Sequence, residues 1–154
     1  WSTLIELESS RKAAEVVGSM IEYVPIEDGN GALIAQMADP IIRIVALTVT
    51  EGGYYIDPVT KALNSAHPDI EYDAANPSAP RTAFGSIIAA LKIRCERNIG
   101  PFTLQSCDNL QGNGDILRQT IISLAKMSDL KMTQWIEVQC CLLYRSDDAN
   151  RTTC

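Results

Sequence analysis

Asn109 lies in "SCDNLQGNGD", residues Ser106 to Asp115, directly after the apolar stretch from Phe102 to Leu104. Its carboxamide can donate to a carbonyl or alkoxide oxygen, which is what an oxyanion site requires. A second polar stretch, "TEGGYY" from Thr50 to Tyr55, ends the apolar run that begins at Ile41. There Glu51 can carry or relay a proton. Gly52, Gly53, Gly112 and Gly114 lack the Cβ that would hold a ligand away from the backbone. These residue types have plainer uses as well. Asp108 and Asn109 suit a helix cap or an Asx-turn, and Glu51 suits a solvated turn. Asn113-Gly114-Asp115 reads as a turn and N-cap, with Asp115 favoured by the helix dipole. His67 reads as an exposed loop residue beside Pro68, Cys107 as a small core residue of a strand, and Tyr54 and Tyr55 as packing or rim aromatics.

Elements that would position the two stretches are legible around them. "IIRIVALTVT" (Ile41 to Thr50) is β-branched and nearly continuous in apolar character, as expected of a parallel strand covered on both faces. Phe102 to Cys107 is the next strand. Between them Phe84, Ile87, Ile88, Leu91 and Cys95 recur at helical spacing behind Thr82, a capping residue. Leu117, Ile121 and Leu124 mark a further amphipathic helix. Strand, helix, strand and helix in this order imply a right-handed parallel crossover and a doubly wound α/β fold. Both polar stretches then fall at the carboxyl edge of the sheet, where such folds bind ligands. Upstream, "WSTLIELE" and Ala14 to Val24 read as strands, and Ala32 to Asp39 as a short helix stopped by Pro40. Asp57 to Pro80, with four of the seven prolines, reads as loop.

Composition narrows the chemistry. The chain has 154 residues, 46% hydrophobic and 21% charged, with a net charge of −6. That field repels nucleic acid and anionic lipid, and no basic run offsets it. No apolar run approaches the roughly 20 residues of a membrane helix. The sequence opens on Trp1, inside strand-like sequence, without a visible signal segment. Five cysteines, no CxxC spacing and a single histidine argue against a disulfide framework and against a metal site, and suggest reduced thiols in a cytoplasmic protein. The triplet Asn150-Arg151-Thr152 has the form of a glycosylation site, a form common by chance.

At "RIVALTVTEGGYYIDPVT" and "PFTLQSCDNLQGNGDILR" the sequence resembles the mannitol dehydrogenase family, the long-chain polyol-specific dehydrogenases and reductases. The resemblance runs from about Trp1 to Glu137 and takes in "VVGSMIEY", "HPDI" and "APRTAFG". It implies part of a Rossmann-like doubly wound parallel sheet that binds NAD. The family's first Gly-rich βα unit and its helical substrate domain have no counterpart in these residues. The implied reaction is metal-independent hydride transfer between nicotinamide and a small polyol or ketose, in the first instance mannitol and fructose. In that family a lysine is the base and two asparagines hold the alkoxide. Asn109 matches the first of these asparagines, and Glu51 matches a glutamate that moves the proton to solvent. Thr50, Gly52, Cys107 and Asp108 fall on the cofactor side of the same motifs. Residues 138–154, "VQCCLLYRSDDANRTTC", carry no family likeness and read as an aberrant tail from an unspliced intron, frameshift or misjoined gene model. The chain alone is expected to be inactive. The rival readings are a fructuronate or tagaturonate reductase of the same family, and a non-catalytic remnant that binds a full-length homologue.

Overall fold

The computed structural model describes residues 2–7, 12–139 and 142–143. The first element is an antiparallel hairpin, β1 (Ser2–Leu7) against β2 (Lys12–Val17), with Ser2 opposite Val17. The strand expected to reach Val24 therefore stops at Val17. Beyond it the chain has no face to bury, and Ile21 and Tyr23 are 93% and 85% exposed. Alternation alone holds no strand without a partner surface.

The α/β core follows. Helix α1 (Gly31–Ala38) ends where Pro40 holds Asp39 in the extended region, as expected from the sequence. Strand β3 (Ile44–Leu47) is shorter than the run from Ile41 to Thr50, and it is not covered on both faces: Ile44 is 56% exposed. It pairs in parallel with β4 (Thr103–Ser106), Leu47 standing opposite Ser106. Strand β5 (Leu142–Leu143) pairs in parallel with the other side of β4. The order β3-β4-β5 leaves β3 at an edge of this sheet.

Residues expected to form one long loop include α2 (Pro68–Ala75). Pro68 occupies its first turn, where the missing N–H costs nothing, and His67 caps it by accepting from the Asp69 N–H at 3.2 Å. His67 is thus a half-buried cap, its ring 4.7 Å from that of Tyr55, rather than a free loop residue. Helix α3 (Ala83–Glu96) starts as read: Thr82 Oγ1 accepts from the Gly85 N–H at 3.0 Å. Its face is wider than an amphipathic stripe, since every residue from Phe84 to Leu91 is buried. Helix α4 (Asn113–Ser128) buries Leu117, Ile121 and Leu124 as expected, and α5 (Leu130–Gln139) adds Met132 and Ile136 to the same core.

Asp129 joins the last two helices, its Oδ1 accepting from the Lys131 and Met132 N–H groups at 3.0 Å each. Helix α5 continues through Val138 to Gln139. Most of the 138–154 stretch, with Cys140, Cys141, Cys154 and the Asn150 triplet, lies outside the described residues. No described helix is long and apolar enough to cross a membrane.

Candidate functional site

Parallel pairing sends the chain out of β3 and β4 at the same edge, so the two polar stretches become neighbouring loops. The first bond between them extends the ladder: the Cys107 N–H donates to Leu47 O at 2.8 Å. The next are made by Asp108. Its Oδ1 accepts from the Thr50 N–H at 2.8 Å, and its Oδ2 accepts from the Val49 N–H at 3.2 Å and from Tyr54 Oη at 2.8 Å. Tyr54 reaches this point because Gly52–Tyr54 winds one tight 3-10 turn, which drops the ring into the core 5.5 Å from Phe84. The phenol has one proton, and a carboxylate can only accept, so Ser106 Oγ donates to Tyr54 Oη at 2.8 Å.

Electrostatics follow from this burial. Desolvation pushes the Tyr54 phenol up to about 12, the bond with Ser106 opposing and Asp108 adding to the rise. Tyr54 therefore stays protonated and serves as a donor. Burial on its own would raise the Asp108 carboxyl, but the bonds from Tyr54, Thr50 and Val49 outweigh it and hold the group below the ordinary carboxylate value. A carboxylate depressed in the fold adds stability above its unfolded pKa, about 3.9, and loses it as the pH falls through the lower folded value. Between neutrality and strong acid, the urea midpoint of Asp108→Asn is accordingly expected to change less than that of the unaltered chain.

Of the residues read from sequence, Thr50, Glu51, Gly52, Cys107 and Asn109 present exposed positions on the two loops, and Asp108 between them is buried. Cys107 is not a core residue: the strand ends at Ser106 and Cys107 is exposed. A Cβ on Gly52 would meet no atom within 4 Å, so this side of the turn is open to an incoming group. Thr50 has φ 62°, the left-handed region that a β-branched residue rarely adopts. Gly112, at φ 67°, opens α4 in place of the expected asparagine cap. Asn113 lies inside the helix instead, 1% exposed, and its Nδ2 donates to Asp108 O at 2.8 Å. Asp115 takes the expected first-turn place. Sequence reasoning missed Asn113 and the anchoring use of Tyr54, since nothing in residue type separates a buried asparagine from a turn asparagine.

The donor set of this edge is an outward carboxamide, an outward carboxylate, a thiol, a threonine hydroxyl and a glycine turn. It suits a polar organic ligand. Among the described residues no three His, Cys, Asp or Glu side chains gather as a metal site.

A family model described as the mannitol dehydrogenase Rossmann domain matches residues 1–142. The chain belongs to the mannitol dehydrogenase family. Mannitol 2-dehydrogenase from Cereibacter sphaeroides is 49% identical over 138 residues, 90% of this chain and 29% of that protein. The Neosartorya fischeri mannitol 2-dehydrogenase is 44% identical over 136 residues, 87% of the chain and 27% of its own length. Among solved structures, Pseudomonas fluorescens mannitol 2-dehydrogenase, in ternary complex with NAD and D-mannitol, superposes with a TM-score of 0.82 at 40% identity, covering 90% of this chain and 28% of that one. D-sorbitol dehydrogenase in substrate-free form gives 0.78 at 34% identity, with 90% and 29% covered. The chain thus spans less than a third of the length of these mannitol dehydrogenase relatives, and what it contains is their Rossmann-type α/β segment.

Proposed function

We propose that this chain is the part of an NAD-dependent polyol dehydrogenase that presents one alkoxide-holding asparagine, Asn109, and one proton-relaying carboxylate, Glu51, to nicotinamide and substrate. The observation that carries the reading is the fusion of the two family motifs into one edge, with Asn109 and Glu51 facing solvent on either side of the buried Asp108. Thr50, Gly52 and Cys107 border the cofactor. Asp108 borders it through backbone, because protein donors already occupy both of its carboxylate oxygens. Bound NAD supplies the hydride chemistry, and these residues orient, exclude water and hold charge. The Asn109 amide donates to the substrate oxygen as it gains negative charge, and Glu51 carries the released proton outward. Mannitol and fructose are the pair favoured here. Polyol names on both structural neighbours support a polyol over a uronate such as fructuronate or tagaturonate.

Neither loop carries a lysine to serve as the base. The 154 residues alone are therefore expected to form no NADH from NAD and mannitol, and measurable turnover would contradict this assignment of roles. Activity is tested in an intact enzyme carrying this segment. There Asn109→Ala is expected to lower kcat by about 10²–10³ with little change in KM, the effect of removing one oxyanion donor. An unchanged kcat would remove Asn109 from the mechanism. The tail beyond the family match, residues 143–154, is proposed to be foreign to the family product, a shorter stretch than the one from Val138 expected from sequence, and a spliced message encoding it would refute that.

A further inference from the structure

Three locally unfavourable features converge on Asp108. Thr50 is held at φ 62°, in a region that suits glycine, and the bond that secures its N–H ends on Asp108 Oδ1 at 2.8 Å. Tyr54 and Ser106 bring hydroxyls into the core, and the phenol ends on Asp108 Oδ2 at 2.8 Å. Asn113 is buried with its Oδ1 unpartnered, where an apolar side chain would leave no orphan. What Asn113 supplies is a donor, Nδ2, to Asp108 O at 2.8 Å and to Ser106 O at 3.5 Å. The Asp108 carbonyl belongs to the peptide that enters Asn109.

We propose that Asp108 is a positioning residue that makes the two loops one unit, its carboxylate setting the Thr50–Gly52 turn and its carbonyl, held by Asn113, setting the course of the chain into Asn109. The proposal rests on the assignment of Asn109 and Glu51 above and adds how their placement is fixed. Asp108 is 5% exposed, and three donors already address its two oxygens, so a ligand hydroxyl has no route to the carboxylate. Its buried side chain acts through Asn109 and the Thr50–Gly52 turn rather than on cofactor or substrate. Consecutive residues thus divide the work, Asp108 turned inward and Asn109 outward.

Coupling between the loops is measurable in the 154-residue chain. Asn113→Ala touches only the Asn109 side, and Tyr54→Phe removes one hydroxyl while keeping the ring against Phe84. In both variants, amide exchange at Thr50 is expected to rise at least about tenfold relative to Leu91 in the middle of α3, the internal reference for global opening. The same substitutions in an intact enzyme carrying this segment are expected to weaken the NAD complex by about three- to tenfold, while the urea m-value of the 154-residue chain stays unchanged. A purely structural role predicts that Thr50 and Leu91 exchange rise together and that the folded fraction binds NAD as before, and this result overturns the proposal. An unaltered intact enzyme that binds no NAD would count against the dehydrogenase reading alone. The ratio of Thr50 to Leu91 exchange would then decide the positioning role by itself.

Discussion

Arg94→Met is expected to lower the stability of the chain by about 2–6 kcal/mol, seen as a large drop in the urea midpoint. Arg94 is 2% exposed, and among the described residues no carboxylate forms a salt bridge with it. Instead it donates to four carbonyls: Nε to Gly100 O at 2.7 Å, and one terminal nitrogen to Met37 O at 3.2 Å, Asp39 O at 2.8 Å and Ile42 O at 3.1 Å. These acceptors are the frayed end of α1, the turn into β3 and the turn into β4, so one side chain ties three connections. Methionine fills the volume but leaves the acceptors bare, at about 1–3 kcal/mol for each that water does not reach. Even two such losses take about 2–6 kcal/mol from a domain whose whole stability is about 5–15 kcal/mol. Arg94→Lys is expected to recover little, because a single ammonium does not reproduce the fork that spans Gly100 and the α1 end. Urea titrations followed by circular dichroism measure both variants, and a midpoint within error of the unaltered chain for Met would refute this account.

Gly85→Ala sets two effects of opposite sign against each other. Alanine inside a helix is favoured over glycine by about 1 kcal/mol. At this position, however, a Cβ would collide with Asp73 Oδ2 and would stand 2.6 Å from Pro80 Cβ. Asp73 has little freedom to yield. Its buried carboxylate accepts from the Arg81 N–H at 2.6 Å and from Thr82 N–H and Oγ1 at 3.1 and 2.6 Å, and Thr82 in turn caps α3. Overpacking costs about 1–3 kcal/mol, and loss of the cap adds about 1 kcal/mol. The collision wins. A net loss of about 1–3 kcal/mol is expected, read as a lowered Tm, whereas stabilisation would show that Asp73 moves freely.

How far the sequence foretells this structure depends on what each inference relied on. Periodicity found α3 and α4 because their buried positions recur along one element, and Thr82 announced the start of α3. Parallel pairing of β3 and β4 followed from the helix between them. Strand β3 was overestimated because apolar content was taken for coverage, while Ile44 stands at an unpaired edge and remains exposed. Helix α2 was missed because the prolines in and around it read as loop, although Pro68 sits at the one helical position that favours it. Arg94 and Asp73 were invisible for another reason. Apart from the Thr82 hydroxyl, their partners are backbone groups 6 to 57 positions away, and only the fold brings these together.

The site shows the same division. That two polar loops should meet was legible from topology and from the family motifs. Which of Asp108 and Asn109 turns inward was not, since both are small, polar and turn-forming. The choice is made by donors on the other loop, the N–H groups of Val49 and Thr50 and the phenol of Tyr54. Cys107, read as core from the strand beside it, emerges at the surface because the ladder ends one residue earlier.

The central claim is that nicotinamide cofactor and substrate are received where β3 and β4 release their loops. Its most direct measurement is an NAD titration of an intact enzyme that carries this segment, isotopically labelled and followed by amide chemical shifts. The account predicts saturable shifts at Thr50, Glu51, Gly52, Cys107 and Asn109. Shifts confined to the opposite end of the sheet or to the α1–α3 surface, with these five residues unmoved, would contradict it.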